Sequence, residues 1–265
     1  MKTRAISSSC LFHYTKSLET LISILQYGLR FSEVREPYPK IGWGTSPLTA
    51  IGLQRTYNDN RVVCFCDIPL TLAASHRTYY KEYAIGLTKE WAINNGVAPV
   101  RYVHSNSPGF SGALIELLEV ESNRRELGTD FVSELIRHRT GAAPTADDLS
   151  EDAKKTMHAV ENELAKALRF IADGAAFFKI YEGDDPLKGT PLKRYYDERE
   201  WRAVHHDLDV LQFKWDDIRY IICATQDECE KLYERRNEIS ESLAMPDNSR
   251  LWQKLRSFEE IDSDF

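Results

Sequence analysis

Two short polar clusters, His13-Tyr14-Thr15 and Glu198-Arg199-Glu200, hold the residues of this sequence best suited to chemistry. Residues two apart in a β-strand share a face, so His13 and Thr15 can point into one cleft, with Glu198 and Glu200 converging from another strand. A carboxylate placed there can stabilise positive charge developing on a sugar ring, and a second can orient or deprotonate an acceptor. The pairing implies chemistry on a ribosyl centre. Two plainer readings compete with it. A His beside Phe12 is often a satisfied core residue, and Asp-Glu-Arg-Glu can be a charged edge strand laced by Arg199 and Arg202.

The flanking sequence supplies elements to carry both clusters. Residues 10–15 read as a strand, and Leu18, Leu21, Ile22 and Leu25 fall at i, i+3, i+4 and i+7, one apolar helix face. Ser17 suits the cap of that helix and Gly28 its end. Residues 32–60 form a long connection rich in Gly and Pro, with Tyr38 and Trp43 in it, which suits a loop that folds over a ligand. Strands are expected at 61–68, Tyr83–Leu87 and Pro99–His104, with helices at about Leu70–Lys81 and from Lys89 to Asn95-Gly96.

The middle of the chain changes character. Gly109–Arg139 and Ser150–Gly174 are helical by periodicity, with Met157, Val160, Leu164, Leu168 and Ile171 on one face. Strands resume at Ala176–Tyr181, Tyr195–His205 and Arg219–Ala224, followed by an amphipathic helix over Gln226–Leu243. The organisation is thus one domain over 1–245 with a helical insertion at about 109–175. The last twenty residues, 246–265, form an acidic tail expected to be loose.

Composition excludes several classes. With 265 residues, 42% hydrophobic and 28% charged, the chain can bury a full core. Five cysteines at irregular spacing and no basic-then-apolar leader point to reduced thiols in a cytoplasmic protein. No apolar run is long enough to cross a bilayer. Cys64-x-Cys66 is too close for an ordinary zinc pair, and His205-His206-Asp207 places neighbours on opposite strand faces, so no metal is expected. A net charge of −7 argues against a surface built for duplex binding but leaves room for a local basic groove from Arg35, Lys40, Arg55 and Arg61.

Leu11-Phe12-His13-Tyr14-Thr15, the following helix and Gly28-Leu29 resemble the opening of DarT-like ADP-ribosyltransferases. Across most of the chain, Val62–Leu70, Ile85–Trp91, Asn95-Gly96, Pro99-Val100 and Asp197–Arg202 resemble the AbiGi family of abortive phage-resistance proteins, whose usual label is antitoxin. The first resemblance implies an α+β fold of the ADP-ribosyltransferase type, a split β-sheet core, with NAD as ADP-ribose donor. It makes Glu200 the carboxylate at the ribose and leaves Glu198 to serve the acceptor. His13 and Thr15 hold the cofactor, and one of Tyr79, Tyr80 and Tyr83 stacks on nicotinamide. Arg55, with Arg35 as rival, matches the arginine that precedes the second core strand.

The function implied is an NAD-dependent ADP-ribosyltransferase toxin in phage defence, modifying nucleic acid, with RNA favoured over DNA and protein, and restrained by a cognate antitoxin. Two alternatives stand beside it. One is a non-catalytic antitoxin that keeps the fold and binds a partner protein; the other is an NAD glycohydrolase, with water as acceptor.

Overall fold

The computed structural model describes residues 7–37, 57–103, 176–185, 190–205, 207–246 and 250–263, with scattered helical positions between 151 and 174. The chain divides into two compact units. The first comprises Met1–Val34, Asp59–Val100 and Glu182–Phe265, and the second Arg35–Asn58 and Arg101–Tyr181.

The first unit is built on a mixed, mostly antiparallel sheet. Its strands are β1 (Cys10–Thr15), β4 (Tyr57–Cys66), β5 (Tyr83–Thr88), β6 (Ala98–Pro99), β11 (Glu200–Val204), β13 (Ile218–Cys223) and β14 (Leu255–Ser257). They lie in the order β14-β13-β5-β1-β4-β11-β6, and β3 (Ser32–Pro37) pairs with β4 off this path. Strands β14-β13-β5-β1 and β4-β11-β6 meet through β1 and β4 at one residue pair, Phe12 opposite Cys66. The β13–β14 pair is parallel, while β1–β4, β1–β5, β4–β11, β6–β11 and β5–β13 are antiparallel. Short β2 (Leu29–Arg30) pairs with β12 (Val210–Leu211), and β9 (Glu182–Asp185) with β10 (Thr190–Arg194). In the second unit β7 (Arg101–Val103) and β8 (Phe178–Ile180) form a parallel pair.

Alternation along these strands gives the sheet two buried faces. Leu11, Phe65, Ile85, Ala203 and Ile221 belong to the larger core, with Leu21 and Leu25 from α1 (Leu18–Tyr27) and Leu232 from α4 (Gln226–Glu234). Cys10, Phe12, Cys66, Ala84 and Ile222 belong to a smaller cluster on the opposite face, closed by Phe258 of α6 (Phe258–Ser263). Helix α1 starts where Ser17 accepts from the Thr20 N–H and ends at Gly28, whose φ of 89° suits a residue without a side chain. A Cβ at Gly28 would lie 2.7 Å from Val210 Cγ1, so glycine also lets β12 approach.

Several expected elements change at their ends. The long connection begins and finishes as strand, at Ser32–Pro37 and Tyr57–Cys66. The helix expected over Leu70–Lys81 is a 3-10 turn, Leu70–Leu72, followed by α2 (Ala74–Tyr80), and α3 (Lys89–Asn94) follows β5 directly. The amphipathic helix breaks at Arg235 into α4 and α5 (Arg236–Ser242). The acidic tail expected to be loose contains β14, in register with β13, because Leu251 and Phe258 are buried and anchor it. Of the proposed insertion, 109–150 lies outside the described residues.

Candidate functional site

The Glu198/Glu200 pair is built differently from two alternate positions of one strand. Tyr195–Glu198 is a 3-10 turn, Arg199 adopts a left-handed conformation (φ 44°, ψ 50°), and Glu200 opens β11. That conformation is costly for a residue with a side chain. The Asp67 N–H donating to the Arg199 carbonyl at 3.1 Å helps to hold it.

Register fixes where Glu200 faces. It lies opposite Cys66, which lies opposite Phe12, which lies opposite Gly86. Residues directly opposite on paired strands share a face, so Glu200 and Arg202 belong to the face of Phe12 and Cys66. Arg202 is fully buried and donates from Nε to Glu200 Oε1 at 2.6 Å and from Nη2 to Oε2 at 3.2 Å. A guanidinium taken wholly out of water needs a carboxylate in good geometry, and Glu200 supplies it. Glu198, also buried, accepts a hydrogen bond from the Tyr80 hydroxyl of α2.

His13 lies on the other face. Its Nδ1–H donates to the Cys64 carbonyl at 2.8 Å, and its ring meets Phe65 edge-on at 5.9 Å. Burial pushes its pKa below the ordinary value of 6.5, partly offset by that hydrogen bond. Thr15 is two positions along the same face and opposite Tyr83. The Tyr83 hydroxyl donates to Glu228 Oε1 at 2.5 Å, while Oε2 of the same carboxylate receives the Thr225 N–H of the α4 capping box. Burial, with Glu228 as its acceptor, raises the Tyr83 pKa.

The expected convergence of His13 and Thr15 with Glu198 and Glu200 is thus corrected by strand register. The sheet itself separates His13 and Thr15 from Glu200. Of the arginines, Arg61 pairs with Asp209, and Arg35 lies in β3, within the second unit. Arg55, Lys40 and the Tyr79 side chain lie outside the described residues, as does most of the proposed lid. Among the described residues no three His, Cys, Asp or Glu side chains gather as a metal site, and no helix is long and apolar enough to cross a membrane.

Sequence reasoning missed the role of Asp67. This buried carboxylate accepts from Ser7 Oγ at 2.8 Å, the Ser8 N–H at 2.8 Å and Lys89 Nζ at 2.9 Å, while Lys89 also lies 5.6 Å from the centre of the Trp201 ring. The available signal was a charged residue ending an apolar strand just before Ile68-Pro69. Asp67, Glu198 and Glu200 are thus three buried carboxylates, each meeting a donor from the chain itself. Buried polar groups satisfied in this way specify and rigidify packing.

A family model described as "Putative abortive phage resistance protein AbiGi, antitoxin" matches residues 54–244. The "Abortive phage resistance protein AbiGi" of Lactococcus lactis subsp. cremoris is 26% identical over 166 residues, covering 59% of this chain and 57% of the relative. No solved structure matches. These findings overturn the toxin expected from sequence: the matching family is described as an antitoxin, and the lactococcal relative as an abortive phage resistance protein.

Proposed function

This chain belongs to the AbiGi family of abortive phage-resistance proteins, and from that membership we propose that it is the antitoxin of an abortive-infection system, a non-catalytic component that restrains a toxic partner protein by binding it. The observation that carries this reading is the antitoxin family match across residues 54–244. The lactococcal relative, matched over 57% of its length, supports the phage-resistance setting.

The geometry is in keeping with a binding protein. The Glu200–Arg202 pair, the Tyr80–Glu198 contact and the His13–Cys64 contact are internal to the fold, so their polar groups serve packing in the free protein. The net charge of −7 favours a partner that presents a basic face. Complementary charge of this kind steers encounter and selects partners more than it deepens affinity.

Co-expression with each protein encoded beside its gene tests the proposal. The chain should co-purify with one of them in a complex of fixed stoichiometry that survives size-exclusion chromatography. Elution of the chain by itself from every such mixture, together with growth arrest when it is expressed alone, would reverse the assignment.

A further inference from the structure

We propose that His205 is an acid-sensitive clasp: its neutral imidazole closes the turn between β11 and β12, and its protonation opens that turn and loosens β12 from β2. This goes beyond partner binding and does not depend on it. His205 Nδ1 accepts from the Asp207 N–H at 3.2 Å and from the Leu208 N–H at 3.0 Å. Both partners are backbone N–H groups, which can only donate. Nδ1 is therefore the bare nitrogen of the ring, and the ring proton sits on Nε2.

A side chain that bonds its own backbone two residues on is the way Asn and Asp close turns; here the acceptor is one that titrates. The imidazolium carries N–H on both nitrogens, so the charged ring loses both bonds at once. Histidine makes that change between about pH 5 and pH 8. His205 is exposed, so its proton comes directly from solvent. The ring packs on Phe31, with centroids 6.1 Å apart and planes tilted by 53°. The charged groups around the turn are Asp207 within it, the Asp209–Arg61 pair that joins it to β4, and Arg30 of β2, opposite Val210. Asp207 and Asp209 favour a charged ring while Arg30 and Arg61 oppose one, so these charges offset and the two lost bonds carry the response.

The turn leads straight into the contacts that set β12 in place. Asp209 follows Leu208; its carbonyl accepts the Phe31 N–H at 3.0 Å, and its carboxylate pairs with Arg61. Val210 and Leu211 then lie opposite Arg30 and Leu29. Leu29, Phe31 and Leu211 belong to the larger core. Opening at Asp207 and Leu208 thus frees the chain where β12 is laid onto β2, at one corner of that core.

Hydrogen exchange followed by NMR on the full chain at pH 8 and pH 5, with intrinsic exchange at each pH divided out, tests the clasp. Protection of the Asp207 and Leu208 amides should fall about tenfold on acidification, the scale of about one to two net hydrogen bonds, and the Phe31 amide should lose protection with them. His205→Asn supplies a side-chain carbonyl that accepts at either pH, so its amides should stay protected throughout; those of His205→Ala should be unprotected throughout. A global melt would mix the turn with His13, whereas these amides report the turn alone. Equal protection of the wild-type amides at the two pH values overturns the proposal. So does a His205→Asn protein that loses protection on acidification as the wild type does, or a Phe31 amide that stays protected while Asp207 and Leu208 open.

Discussion

Arg202 grips Glu200, two positions back on the same strand face, through Nε–Oε1 at 2.6 Å and Nη2–Oε2 at 3.2 Å, with the arginine fully buried. Removing either side chain takes from the other its buried partner of opposite charge. Glu200→Gln and Arg202→Ala should each cost about 3–5 kcal/mol, read as a lower urea midpoint. A residue kept for chemistry behaves otherwise: a Glu200→Gln protein as stable as wild type would release Glu200 from this structural role.

Tyr83 reaches from β5 to Glu228 at 2.5 Å. Tyr83→Phe removes that donor and should cost about 1–2 kcal/mol, with the loss of amide protection concentrated in α4. Unchanged protection there would separate the phenol from the helix cap.

His13 makes stability depend on pH. Its pKa in the folded protein lies below the unfolded value of 6.5 because burial disfavours the imidazolium. Between the two values the unfolded chain binds the extra proton, so stability rises with pH. The contribution is fully present above about 6.5 and is lost as pH falls toward the folded pKa. Thermal midpoints of wild type and His13→Gln should therefore converge on acidification from pH 8 to pH 5. A constant difference between the two proteins across that range contradicts the burial of a neutral imidazole.

Gly86 sits where β5 passes under Phe12. An added Cβ would lie 2.8 Å from Phe12 Cε1 and 3.3 Å from Cys10 Sγ, both side chains of the inner cluster. Gly86→Ala should cost about 1–3 kcal/mol through overpacking, measurable by chemical denaturation. A stability equal to wild type would mean that Phe12 repacks freely.

The sequence made some of this architecture legible and hid the rest for identifiable reasons. Helix α1 was readable because its apolar face, the Ser17 cap and the Gly28 stop all agree, and β5 was readable as a short apolar run between polar ends. The placement of Glu200 was not. Phe12 and His13 look interchangeable as inward positions because β1 is buried on both faces, so alternation shows which residues share a face without showing which face any of them takes. Only the register Phe12–Cys66–Glu200 decides. The tail misled for a similar reason: its acidic residues mask Phe258, and the pairing of Leu255–Ser257 with β13 is non-local. Local charge also hid the turn at Arg199, a left-handed residue that nothing in Glu-Arg-Glu announces.

Growth of a bacterial host tests the central claim most directly. The chain is induced alone, and then together with each protein encoded beside its gene. An antitoxin leaves the host growing when expressed alone and restores growth that one of those partners arrests, in proportion to its own expression. Arrest by this chain alone, relieved by Glu200→Gln at equal protein level, would contradict the account and return the activity to the chain itself.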